Sequence, residues 1–284
     1  MNNEQMCKKL PTEKQNVQII ALDLDDTLLK DDLTISDYTV SVLQKAAEKG
    51  IYVMLCSGRS DNAMLPFVHQ LDIAGTEYGR YMVTQNGTNI VDLHKRMSIY
   101  SRILTNEVVQ KVYERVVEND FSIHLYDSST IYTFKKTERG QVDANLSGLN
   151  YVVKDDFETF MLSGFPKMVV PGDPEKLVAF QDLLRKEIGD KCVVFTSKPY
   201  FLEVLPKDSG KGEALVWLAK ELNIPVENVM AFGDSMNDES MINLTGKRVS
   251  MINGRDEIKN AAKFITEFTN DEDGVAKFIE KWVL

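Results

Sequence analysis

Val17-Gln18-Ile19-Ile20-Ala21-Leu22-Asp23-Leu24-Asp25-Asp26-Thr27-Leu28-Leu29 decides how the rest of the chain is read. An apolar, partly β-branched run leads into three acids within four positions. The apolar part reads as a buried strand. The acids then fall at its C-terminal end, where open α/β sheets place their ligands. Crowded carboxylates repel one another unless a positive charge sits between them. A divalent cation would relieve that repulsion. The plainer alternative is that Asp25-Asp26-Thr27 opens a turn, since these residue types favour turns.

Working outward, the next segments repeat the strand-then-helix pattern. Ser36 caps a helix whose apolar face is Val40, Leu43, Ala46 and Ala47, and Gly50 ends it. Ile51 to Cys56 is a second buried strand, closed by Ser57-Gly58-Arg59. A helix over about 61–71 and a strand, Tyr81 to Thr84, follow. This is β-α-β-α-β, the signature of a parallel sheet. The same style resumes late in the chain. Lys211 begins a helix, Asn228 to Phe232 forms a strand, and Gly233-Asp234-Ser235-Met236-Asn237-Asp238 sits at its end. Short elements and a helix from about Glu272 complete this part.

Between these halves the style changes. Short strands at 89–92 and 98–104 precede a helix capped by Thr105. Phe121 to Tyr126 and Ile131 to Phe134 alternate like a hairpin. A strand near Pro166 to Val170, a helix opened by Pro174 and two strands, Cys192 to Thr196 and Phe201 to Leu205, follow. The expected fold class is therefore α/β. A parallel sheet with helices on both faces forms the core, from 1–87 and 202–284, and an α+β domain, 88–201, is inserted into it. Residues 1–16 read as a loose polar leader without a signal-peptide core.

Composition narrows the function classes. The chain has 284 residues, a net charge of −10, 43% hydrophobic and 27% charged residues. The acidic balance argues against a nucleic-acid backbone as the main partner. It leaves open a small anionic substrate, because a local cation reverses the potential inside one pocket. No apolar run approaches a membrane span. Cys7, Cys56 and Cys192 are far apart and form no CxxC pair, which suits a reducing cytoplasm and gives no zinc framework. The three histidines are isolated and read as ordinary side chains.

Three strand ends converge on one sheet edge: Asp23 and Asp25, then Ser57-Gly58, then Asp234 with Asn237 and Asp238. Oxygen ligands from Asp23, Asp25 and Asp234 suit Mg²⁺, whereas zinc would recruit His or Cys. Lys211, at a helix start, offers a point charge and free N–H groups to a phosphate. A carboxylate here could attack phosphorus, and a second could shuttle the proton. Other phosphate motifs fail. A P-loop would need glycine where Leu205 stands, and the spacing from Cys56 to Arg59 is too short for a cysteine phosphatase loop.

Asp23-Leu24-Asp25-Asp26-Thr27 resembles the DxDxT motif of the haloacid dehalogenase superfamily. Ser57-Gly58-Arg59 resembles its second motif, Lys211 its third, and Gly233 to Asp238 its GDxxND fourth. An insert between the second and third motifs is similar to that of the Cof-type subfamily, class IIB, with a C2 cap on a Rossmann-like core. Asn86-Gly87 and Asp273-Gly274-Val275 also fit that subfamily. The resemblance implies a Mg²⁺-dependent phosphatase for small phosphorylated metabolites of sugar phosphate, FMN or pyridoxal phosphate type. Asp23 would be nucleophile and metal ligand. Asp25 would be the general acid/base and ligate through its carbonyl. Asp234 would be the further ligand, with Asp238 and Thr27 in support. Leu24, Ser57, Gly58, Lys211 and Asn237 would hold the phosphate.

Asp26 and Arg59 read as structural. Two departures stand out: Met251-Ile252-Asn253-Gly254 where such proteins often carry Met-Gly-Asn-Ala, and Ser209-Gly210 before Lys211. The rival readings are a phosphosugar mutase of the same superfamily and a non-catalytic protein that binds phosphometabolites.

Overall fold

A computed structural model describes residues 9–127 and 129–284. Cys7 and the first half of the leader lie outside the described residues. The chain divides into two compact units, one built from residues up to Tyr100 and from Gly210 onward, the other from Ser101 to Ser209.

The first unit is organised on the expected strand. β1 (Ile19–Leu22) is wholly buried because its side chains feed two cores, one on each face of the sheet. Ile20 and Leu22 join Val42 and Leu43 of helix α1 (Asp37–Glu48), Met64 and Val68 of α2 (Asp61–Leu71), and Phe278 and Ile279 of α7 (Gly274–Trp282). Ile19 and Ala21 join Ala214, Leu215 and Leu218 of α6 (Lys211–Glu221). Alternation along a strand sends neighbours to opposite faces, so a strand covered on both sides must be apolar throughout.

β1 pairs in parallel with β2 (Tyr52–Cys56) on one side and β12 (Val229–Gly233) on the other. β3 (Tyr81–Thr84) extends the sheet past β2, while β13 (Lys247–Ser250) and β14 (Phe264–Ile265) extend it past β12, all in parallel. The expected α/β sheet with helices on both faces is present.

The sheet is wider than the sequence suggested. β4 (Asn89–Asp92) turns back antiparallel on β3, and β5 (Met97–Ser101) follows as the outermost strand. Residues 88–100, assigned above to the insert, thus belong to the first unit. At the other boundary β11 (Phe201–Pro206) pairs with β9 (Met168–Pro171) and β10 (Cys192–Lys198), so residues 202–209 belong to the second. The leader needs correction over 9–16. The Lys9 carbonyl accepts from Ile265 N at 2.8 Å, and Gln15 N donates to Trp282 O at 2.7 Å. These residues lace along the first unit.

The second unit is α+β, with its own core. Val108, Val109, Val112 and Val116 of α3 (Asn106–Glu118) pack with Leu177, Phe180 and Leu184 of α5 (Pro174–Ile188), and with Met168 and Leu202 from the antiparallel trio β10-β11-β9. β6 (Leu125–Tyr126), β7 (Thr130–Thr133) and β8 (Asn150–Val153) form a second small sheet. β6 and β7 are the expected antiparallel hairpin. β8 joins in parallel after α4 (Glu138–Ser147), two elements the sequence pattern did not show. α4 presents few apolar residues and is tied down by polar contacts instead. Asp143 accepts from the ring Nδ1 of buried His124 at 2.7 Å and from the Tyr126 hydroxyl at 2.5 Å.

Candidate active site

The site grows from the C-terminal ends of β1, β2, β3 and β12. Asp23 leaves β1 with its N–H on the Phe232 carbonyl of β12 at 3.1 Å, which fixes it beside Gly233-Asp234. The chain then makes a wide turn, closed by Leu28 N to Asp23 O at 3.3 Å and Leu29 N to Leu24 O at 2.8 Å. Asp26 takes a left-handed φ of 60° at the bend, a conformation Asp tolerates better than most residues. Its carbonyl accepts from Asn253 Nδ2 at 2.8 Å. Asp26 therefore shapes the turn, and the departing Met251-Ile252-Asn253-Gly254 stretch braces it.

Lys211 holds the centre. It is fully buried, and its ammonium donates to Asp23 Oδ1 at 2.5 Å and Asp238 Oδ1 at 2.6 Å. Asp238 turns its other oxygen to the amides of Asp234 at 3.0 Å and Ser235 at 3.2 Å. Thr27 donates its hydroxyl to Asp234 Oδ1 at 2.9 Å. An ammonium has three donors, so one remains for a ligand.

Oxygens of Asp23, Asp234 and Asp238 lie within 4.8 Å of one another. Three buried carboxylates thus cluster near one ammonium, which pairs with two of them, Asp23 and Asp238. Burial first, and then the neighbouring carboxylates, push Asp23 well above the usual carboxylate range, while Lys211 opposes the shift. The same causes lift Asp234 to about 7. Burial alone would lower Lys211; Asp23 and Asp238 outweigh it and keep the ammonium charged. The donor set is hard oxygen and carries excess negative charge, which fits a hard divalent cation such as Mg²⁺ and not zinc.

Ser57 follows β2 with its N–H on the Val83 carbonyl at 3.0 Å, and its hydroxyl accepts from Arg59 N at 3.2 Å. Gly58 has no room for a side chain, since an added Cβ would stand 2.8 Å from Asn86 Oδ1. Asn86 accepts from Asn237 Nδ2 at 3.3 Å, so it joins the second and fourth motifs. Gly87, at φ 84°, lets its loop meet the start of α6. An added Cβ there would lie 2.0 Å from the Gly210 carbonyl, so Gly87 must be small; Gly210 is small for its own reason, since a Cβ on it would stand 2.3 Å from Glu213 Oε2 and 2.5 Å from Ser240 Oγ. The Leu24 side chain is buried in the core. Buried Cys56 has its thiol pushed up by burial, against any nucleophilic role.

Asp23, Thr27, Lys211, Asp234 and Asp238 are thus linked through one hydrogen-bonded network, and Asn86 gathers Ser57, Gly58 and Asn237 around the same strand ends. Asp25 is held differently: Arg59 grips both its oxygens, Nε to Oδ2 at 2.9 Å and Nη2 to Oδ1 at 2.6 Å. Sequence reading put Arg59 on the structural side and missed Asn86 as a connector. The signal available for both was position, since each follows a strand end on the ligand edge.

A family model described as haloacid dehalogenase-like hydrolase matches residues 20–279. The chain belongs to this family. It is a Cof-type haloacid dehalogenase-like hydrolase and stands among enzymes named as phosphatases. The 5-amino-6-(5-phospho-D-ribitylamino)uracil phosphatase of Bacillus subtilis is 30% identical over 96% of this chain and 98% of its own length. The HMP-PP phosphatase of Yersinia pestis is 27% identical over 94% and 95%. The crystal structure of a haloacid dehalogenase-like hydrolase from Bacteroides thetaiotaomicron is similar over 93% of this chain and 99% of that one, with 35% identity and a TM-score of 0.81. Among the described residues of this hydrolase, no helix is long and apolar enough to cross a membrane.

Proposed function

We propose that this hydrolase is a Mg²⁺-dependent phosphatase of small phosphorylated metabolites that works through an aspartyl-phosphate. The observation that carries this reading is the Asp23 carboxylate, buried and held by Lys211 at 2.5 Å beside Asp234 and Asp238. A carboxylate fixed this way is a nucleophile in place before substrate arrives.

Asp23 attacks phosphorus, forming a P–O bond as the bond to the leaving oxygen breaks. Asp25, as the acid, gives its proton to that oxygen and the alcohol departs. Asp25, now a carboxylate, takes a proton from water as the water attacks phosphorus, which frees phosphate and restores Asp23. Lys211, Ser57, Asn237 and the N–H groups of Leu24 and Gly58 would hold the phosphoryl oxygens in both steps. Asp23, Asp234 and the Asp25 carbonyl would hold Mg²⁺, with Asp238 in support. Bound there, the ion would neutralise charge on the phosphate.

The unit at 101–209 is proposed as the cap that the family resemblance implies. The phosphatase relatives act on small organic phosphates by their names, which supports the same substrate class here. The free buried cysteines Cys56 and Cys192 accord with a cytoplasmic setting.

The test is release of inorganic phosphate from p-nitrophenyl phosphate with Mg²⁺. Asp23→Asn should abolish it while thermal unfolding stays close to that of the unaltered protein. Turnover that survives in Asp23→Asn, or that EDTA leaves intact, would overturn the reading. Appearance of isomerised sugar phosphate without free phosphate would move it to a mutase.

A further inference from the structure

The Arg59–Asp25 pair is a strong contact at this strand edge that the reaction above leaves without a task. Both carboxylate oxygens are engaged, through Nε at 2.9 Å and Nη2 at 2.6 Å. The side chains are 23% and 37% exposed. Ion pairs this open to water contribute at most about 1 kcal/mol, a bidentate fork falling toward the upper end. A fork closed on both oxygens does something else: it removes the rotational freedom of the carboxylate. The guanidinium is itself held from behind, its central carbon 5.3 Å from the Phe67 ring centroid in α2, a cation–π contact. Its backbone is fixed too, by Arg59 N on Ser57 Oγ at 3.2 Å and by Gln85 N on the Arg59 carbonyl at 2.9 Å. Arg59 is thus a braced arm that ends on Asp25.

We infer that Arg59 is the positioning residue for Asp25, fixing the carboxyl group that gives the proton to the leaving oxygen. The inference rests on the phosphatase reading above. With both oxygens in the fork, Asp25 is parked. Opening one contact, at Oδ1 or Oδ2, frees that oxygen to take a proton from water and pass it to the leaving oxygen while the other stays on the arm. The bland reading, a surface pair with no effect on chemistry, accounts for neither the two-point grip nor the brace on Phe67.

Leaving groups separate the two readings. p-Nitrophenolate departs with little help from a proton, whereas an alkoxide needs one. General acid catalysis supplies roughly 10²–10⁴-fold, and misplacing the acid should forfeit much of it only where it is needed. Arg59→Lys keeps the charge and loses the fork; Arg59→Gln loses the charge. Both are assayed with Mg²⁺ on p-nitrophenyl phosphate and on β-glycerophosphate, with thermal unfolding as a check on the fold. The expected result is a fall in kcat on β-glycerophosphate of about 100-fold, against about 5-fold or less on p-nitrophenyl phosphate. In an Asp25→Asn background the same Arg59 substitutions should add no further split between the substrates.

Equal losses on both substrates, a rise in KM with kcat unchanged, or a split that persists in Asp25→Asn would each overturn the inference. Failure of the unaltered protein to release phosphate from either substrate would instead overturn the phosphatase reading beneath it.

Discussion

Asp238 holds Lys211 with one carboxylate oxygen, at 2.6 Å, and the amides of Asp234 and Ser235 with the other. Neither side chain is exposed at all. Asp238 therefore fixes the one buried ammonium of the site and the loop that carries Asp234 in a single contact set. Breaking a buried pair from one side leaves a charge short of its partner, at a cost of about 3 kcal/mol. Asp238→Ala should lower stability in urea by about that amount and cut phosphate release at least 100-fold. Asp238→Asn, which can still accept from the two amides, should lose the activity but less of the stability. Unfolding of Asp238→Ala at the same urea concentration as the unaltered protein would show that Asp23 alone suffices to hold Lys211.

Three carboxylates around one ammonium leave two negative charges uncompensated at neutral pH when all are ionised. A cation that binds the folded chain and not the unfolded one stabilises it with the logarithm of its concentration above Kd, about 2.7 kcal/mol at a hundredfold excess. Mg²⁺ added to EDTA-treated protein should therefore raise the unfolding temperature, with a rise that continues with the logarithm of its concentration above Kd, and Asp234→Ala should lose that rise. A flat response to Mg²⁺ across the millimolar range would argue that the acids are balanced by protons alone.

Away from the site, Asp92 on β4 is buried and takes the Arg80 fork, Nε at 2.9 Å and Nη2 at 2.8 Å. That hydrogen bonding, helped by the His94 and Lys95 amides and opposed by burial, lowers its pKa from 3.8 to about 2. The folded chain thus binds this proton less readily than the unfolded one. The stability from the pair is complete above about pH 4 and is lost as pH falls toward 2. Asp92→Asn should flatten urea stability over that window and lower it near neutral pH. A pH slope between 4 and 2 identical to that of the unaltered protein would place the acid sensitivity elsewhere.

The parts of the chain legible in sequence were those where one local rule dominates. β1 reads as buried because both its faces meet helices, and the strand-end acids stand out because Leu24 is the sole apolar residue between Leu22 and Leu28. The edge strands were harder. Residues 89–92 alternate no differently whether they pair with β3 or start a new domain, and only the left-handed turn at Gln85, Asn86 and Gly87 sends them back along β3. α4 was invisible for a different reason. With Gly140, Asp143 and Asn145 in ten residues it carries no apolar stripe, and its anchor is Asp143 on His124, a contact between residues nineteen apart. In the site, the identities of Asp23, Lys211 and Asp234 announce their chemistry, whereas Arg59 and Asn86 act through partners that only the fold brings near.

Asn86 gives the sharpest test of that last point. It is 1% exposed and has φ 57°, its N–H donates to Ser57 O at 2.9 Å, and its Oδ1 accepts from Asn237 Nδ2 at 3.3 Å. Two effects would be mixed in Asn86→Ala: the lost acceptor, and an alanine forced into a left-handed conformation at about 1 kcal/mol. Asn86→Gly removes the side chain without the backbone penalty. If the role is to hold Asn237 against Ser57 and Gly58, both variants should raise KM for p-nitrophenyl phosphate by roughly tenfold, the worth of about one hydrogen bond to the phosphate-binding groups. Only Asn86→Ala should also fall in thermal stability beyond the loss of the contact. Equal KM for Asn86→Gly and the unaltered protein would reduce Asn86 to a turn residue whose side chain is dispensable.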